Sequence, residues 1–192
     1  MKKIIQYIVF TICIGCLNNS SDFHTSQFEA TKTNVNKYLL NEIQYPLHKL
    51  NLMPISKLST NTIRIWKFPG AGAAYEEMVE YNIDTSHLRL FSYLIKEMEE
   101  EENLSNLNFT KKINDQKIKN ELRKVIESIN FDKIKDSDKY CKSSLGCSDI
   151  FLFQHTNGKR ITNFTILPDI INCNNPESAT HKEILKTAAK IF

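Results

Sequence analysis

Apolar residues recur along this chain at two spacings, and the change from one to the other marks out its elements. In residues 62–68, TIRIWKF, Ile63 and Ile65 alternate with Arg64, Trp66 and Phe68. A β-branched and aromatic period of two predicts a strand. The PGAGAA stretch at 69–74 reads as a turn. Beyond it Tyr75, Glu77, Val79, Tyr81 and Ile83 alternate with Glu76, Met78, Glu80 and Asn82, which predicts a second strand. A helix beginning at Ala71 is the competing reading, since Ala, Glu and Met are good helix formers. Residues 87–95 fit a third strand or a helix. The clearest helix is 114–130, where Ile118, Leu122, Val125, Ile126 and Ile129 form one stripe and Asn114 or Asp115 can cap the start. A shorter helix is expected over 33–43, ended by Pro46. Segments 149–154 and 160–167 flank HTNGK, whose Asn-Gly pair predicts a tight hairpin, and Pro168 stops the second of them. Ser178 or Thr180 is expected to cap a last helix, HKEILKTAAKIF, with Ile184, Leu185, Ala188 and Ile191 inward.

Hairpins, rather than strands and helices in strict alternation, argue for an α+β fold. The expected architecture is a small antiparallel sheet of hairpins packed against two or three helices and covered on one face, forming a single domain over 32–192. If Ile63 and Ile65 point inward, Arg64, Trp66 and Phe68 share the outer face. An exposed aromatic and arginine patch there is a candidate face for binding another protein, although most of the aromatics near this hairpin are expected in the core.

Composition narrows the picture. A chain of 192 residues, 41% hydrophobic and 24% charged, suits one folded unit rather than a disordered or fibrous chain. Its formal charge of +3 includes Lys2 and Lys3; without them 23 basic residues face 22 acidic ones. So balanced a domain offers no basic field to a phosphate backbone, and the acidic run of Glu97 and Glu99 to Glu102 would repel one. Nucleic acid is not an expected partner.

The N-terminus reads MKKIIQYIVFTICIGC: two lysines, an apolar run from Ile4 to Ile14 broken by Gln6 and Thr11, then Gly15 and Cys16. That run is about half of the ~20 residues a spanning helix needs, so residues 1–15 have the layout of an export signal peptide. Ile14, Gly15 and Cys16 resemble the lipobox of bacterial lipoproteins, in which a small residue precedes a cysteine that takes diacylglycerol before cleavage. Cys13 stands where that family usually carries leucine, and the resemblance covers these sixteen residues alone. It implies lipidation at Cys16, stable attachment to a membrane through the N-terminal lipid, and a place in the bacterial cell envelope, periplasmic or surface-exposed. Residues 16–31 are polar and without steady periodicity, and read as a lipid-anchored tether.

An oxidising compartment gives the remaining cysteines a structural use. Cys141 and Cys147 flank KSSLG and can close a short loop by a disulfide; Cys173 can instead pair with either or stay a buried thiol. Among Cys141, Cys147 and Cys173 no pair has two-residue spacing, and the histidines are scattered without i, i+4 partners, so no metal site is expected.

Catalytic motifs are equally sparse. Gly70-Ala71-Gly72 lacks a Gly-Lys-Ser/Thr ending, and Tyr75 sits where the dinucleotide fingerprint wants a third glycine, so no cofactor is expected. Cys147, Asp149 and His155 have the residue types of a nucleophile, an orienter and a base, but a strand separates them. Glu76, Glu77 and Glu80 supply carboxyls, yet neighbours on a strand point to opposite faces. No catalytic residue is assigned. Two functions remain: a non-enzymatic envelope lipoprotein binding another protein in an accessory or immunity-type role, or an envelope-directed hydrolase acting on peptidoglycan or glycan.

Overall fold

In the computed structural model, which describes residues 35–70, 75–94, 109–131, 133–141 and 149–192, the period-two segments become strands. They are β1 (Asn61–Phe68), β2 (Tyr75–Asn82), β3 (His87–Leu94), β4 (Phe109–Ile113), β5 (Ile150–Asn157) and β6 (Ile161–Ile166). All pair antiparallel in the order β4-β3-β2-β1-β5-β6, an α+β fold in a single domain. The reading of 87–95 resolves to strand. The five-residue β4 carries no apolar alternation and was not anticipated from its sequence, FTKKI. The segments expected to form a signal peptide (1–15) and a lipid-anchored tether (16–31), together with the Ala71-Gly72 stretch, the acidic run and Cys147, lie outside the described residues.

Among the described residues four α-helices accompany the sheet: α1 (Val35–Glu42), α2 (Gln44–Lys49), α3 (Gln116–Ser128) and α4 (Ala179–Ala188). None among the described residues is long and apolar enough to cross a membrane. Asp115 starts α3 by accepting from the amides of Lys117 and Ile118 at 2.8 and 3.2 Å. Pro46 does not stop the first helical region, because it falls in the opening turn of α2, where its missing N–H is not needed. Ser178 stands just before α4, but its hydroxyl donates to the Asn175 carbonyl at 2.6 Å instead of capping the helix. At the predicted hairpin Gly158 has φ +81°, and a Cβ there would lie 2.4 Å from the Ser59 carbonyl oxygen, so both the turn and the packing require glycine.

Helices cover both faces of the sheet, not one. Ile63, Ile65, Val79, Phe153 and Phe164 pack against Leu122 and Ile126 of α3 and Ile184, Leu185 and Ala188 of α4. On the opposite face Trp66, Phe68, Met78, Phe91, Tyr93 and Leu152 pack against Leu39 of α1, Ile43 between the helices and Leu47 of α2. The physical reason is legible in β1. Both faces of that strand carry large apolar side chains, and each apolar face of a sheet has to be taken out of water.

Candidate functional site

Arg64, Trp66 and Phe68 do share one face of β1, as expected, but that face is buried. Arg64 is 1% exposed and Trp66 0%, so the proposed exposed patch is corrected to an interior layer beneath α1 and α2. Trp66 donates its indole N–H to Gln154 Oε1 at 2.7 Å and meets Tyr93 edge to face. The Tyr93 hydroxyl is pushed well above its ordinary range by burial, and further by the charge and hydrogen bond of Glu76.

Arg64 belongs to a polar line that crosses all six strands. Lys112, Arg89, Glu80, Arg64, Gln154 and Asn163 are successive cross-strand partners. Arg64 Nε and Nη2 both reach Glu80 Oε2, at 2.9 and 2.8 Å, while Arg89 binds Glu80 Oε1. Burial pulls the guanidinium of Arg64 below its ordinary range, and the Glu80 charge opposes that shift. One carboxylate thus serves two guanidiniums.

Of the cysteine pairings the sequence allows, the structure forms the one through Cys173, not the short Cys141–Cys147 loop. Cys141 pairs with Cys173, with Cα atoms 6.1 Å apart, in place of Cys147. The fold brings Cys141, within the α3–β5 connection, against the turn before α4, a proximity that spacing in the sequence does not reveal. Closing a loop of this length contributes about 3 to 4 kcal/mol in the chain-entropy picture.

Two shallow pockets open beside that connection and share Asn130. The larger, about 390 Å³, is lined by Ile129, Phe131, His155, Asn157, Arg160 and Thr162. His155 stacks on Phe131 with centroids 4.0 Å apart and bonds Asn61 Oδ1 through Nε2 at 2.9 Å. The smaller, about 160 Å³, has His181 in its wall with Tyr140, Lys133 and Glu177. His155 was visible in the sequence only as a member of a triad the fold does not build: Asp149 precedes β5 and bonds the Gly70 amide, about 20 Å away along the strand. Glu77 pairs with Lys67 on the face opposite Glu76 and Glu80. Among the described residues no group of three His, Cys, Asp or Glu is placed to hold a metal.

The two edges of the sheet are unlike. Ile83 N bonds Asn61 O, which fixes the alternation of inward and outward backbone groups across the sheet. It turns the N–H and C=O of Thr110 and Lys112 on β4 outward. On β6 the outward amides of Thr165 and Leu167 are already taken, by Asp136 Oδ1 at 2.7 Å and Ser137 Oγ at 2.8 Å. Residues 109–112 of β4 are exposed, and Phe109 is 50% exposed. Compared with known proteins, the chain matches no protein-family model and no curated protein sequence.

Proposed function

We propose that this chain is a lipid-tethered protein of the bacterial cell envelope whose α+β domain binds another protein, and that the partner docks as an extended segment on the outer edge of β4. The tether follows from the lipobox-like residues 1–16. The docking edge rests on one observation, the asymmetry between the capped β6 edge and the exposed β4 edge with its half-exposed Phe109. An added strand would take the outward groups of Thr110 and Lys112, the recognition mode of β-strand addition. Lys111 and Lys112 place a cation on each face of this edge, and Lys112 lies directly across from Arg89, a like-charge pair that favours a carboxylate on its other side. The partner strand is therefore acidic. The residues that suggest a hydrolase of peptidoglycan or glycan are not brought together: Asp149 lies at the opposite end of β5 from His155, and Glu77 faces away from Glu76 and Glu80.

Thr110→Pro tests the edge, because proline removes one outward N–H and leaves the β3–β4 ladder intact. Tagged full-length protein is captured from its gently solubilised native envelope, beside the variant. The expected result is a near-stoichiometric partner whose recovery falls about tenfold with the variant, the effect of one interfacial hydrogen bond. Equal recovery by both proteins would remove β4 as the docking site. Recovery of the protein alone, with turnover of envelope glycan, would replace binding by the hydrolase.

A further inference from the structure

Residues 130, 131 and 133–141, between α3 and β5, run along the β6 edge; Phe131, Ile134 and Tyr140 pack against the core, and further contacts to two histidines, to that edge and through a disulfide hold the segment in place. Phe131 lies on the His155 ring. The Lys135 carbonyl accepts from His181 Nε2 at 2.8 Å. Asp136 takes the Thr165 amide at 2.7 Å and its hydroxyl at 3.0 Å, and Ser137 takes the Leu167 amide. Tyr140 packs on His181 with centroids 5.1 Å apart, and Cys141 closes the segment through its disulfide to Cys173.

We propose that these residues, 130, 131 and 133–141, form an acid-sensitive strap, locked over the β6 edge by the neutral imidazole of His181 and released when that ring takes up a proton. This inference is independent of the docking edge at β4.

The lock follows from the two ring nitrogens. A carbonyl only accepts, so His181 Nε2 carries a proton, and in the neutral ring Nδ1 then carries none. Nδ1 is buried and has no hydrogen-bond partner among the described residues. Protonation there would create a buried donor with nothing to receive it and a charge in a desolvated site. The surrounding groups do not reverse this. The strap contributes Lys133, the Lys135 carbonyl, Asp136 and Tyr140; β6 contributes the ring of Phe164, edge-on; the turn before α4 contributes Glu177, and α4 itself Thr180. Asp136 and the Lys135 carbonyl favour the cation, but burial outweighs them and holds His181 below its ordinary range. His155 is also held low by burial, with Asn61 from β1, Thr162 from β6, Arg160 from the hairpin and Phe131 from the strap around it. An imidazolium there would gain some attraction from the Phe131 face, so His155 assists and His181 decides.

The sign follows directly. The released state holds the ordinary imidazole pKa near 6.5 and the closed state a lower one, so between those values the released state binds more protons. The strap's preference for the closed state is complete above about pH 6.5 and is lost as pH falls through that window, tenfold for each unit of depression. The disulfide limits the opening to the segment itself.

Amide hydrogen exchange of the full-length protein between pH 7.5 and 5, corrected for intrinsic rates, tests the strap. Stopping at pH 5 stays above the ordinary carboxylate range. Protection at Thr165 and Leu167 is expected to fall about tenfold or more relative to Ile65 in the sheet centre, and His181→Gln, which keeps a donor for the Lys135 carbonyl but cannot ionise, should abolish the fall. A constant ratio in the natural protein, or the same fall in His181→Gln, would overturn the proposal. Should that variant fail to fold, ring-proton NMR of His181 in the natural protein decides. A midpoint below 6.5 that coincides with the loss of protection supports the strap, and any other midpoint contradicts it.

Discussion

Glu80→Ala is expected to cost about 3 to 5 kcal/mol of folding stability, because it leaves the guanidinium of Arg64 buried with no anion. Arg64 is 1% exposed, and Glu80 is its one ionic partner among the described residues. Arg89, whose side chain is 43% exposed, can turn to water when Glu80 is gone; Arg64 cannot. Replacing both members, as in Arg64→Met with Glu80→Leu, removes charge and countercharge together and should recover most or all of the loss. Urea unfolding at an unchanged m-value measures both effects. A Glu80→Ala variant within about 0.5 kcal/mol of the natural protein would mean that the pair is solvated.

Trp66→Ala should be comparably severe, at about 3 to 5 kcal/mol, since the indole is fully buried between Tyr93, Phe68 and the α1–α2 helices. For a domain of this size that lowers the melting temperature by roughly 6 to 20 °C. Trp66→Phe keeps much of the packing but strands Gln154 Oε1, and should cost about 1 to 3 kcal/mol. Circular dichroism follows both variants, because Trp66 is the one tryptophan of the chain and its fluorescence is lost with it. A surface tryptophan used for binding would behave in the opposite way: stability would hold and a partner would be lost.

That contrast locates what the sequence allowed and what it hid. The strand at 62–68, the helix at 114–130 and the Asn-Gly hairpin were legible because their information is local: a side-chain period, a capping aspartate, a residue that tolerates positive φ. Which face of β1 meets solvent is not local. Ile63 and Ile65 read as the inward face, and they are inward, yet Trp66 and Phe68 are equally so, because α1 and α2 return over the other side. Arg64 misled most. A charged side chain in a strand suggests exposure, and its burial is tolerable only through Glu80, sixteen residues later and directly opposite in the β1–β2 register.

The remaining differences have similar causes. An edge strand such as β4 is defined by its pairing with β3 and needs no apolar alternation, so FTKKI gave no period to read. The Cys141–Cys173 disulfide depends on where the strap ends against the turn before α4. His155 and His181 are unremarkable in the sequence; their importance comes from Phe131, Lys135 and Tyr140, which the fold lays upon them.

A place in the envelope is the premise on which the binding function rests, and intact-mass analysis of the full-length protein purified from native membranes tests it most directly. The predicted result is a mature chain that begins at Cys16, carries diacylglycerol on that residue and leaves the membrane fraction only with detergent. A chain that retains Met1, or that begins elsewhere without lipid, would contradict it.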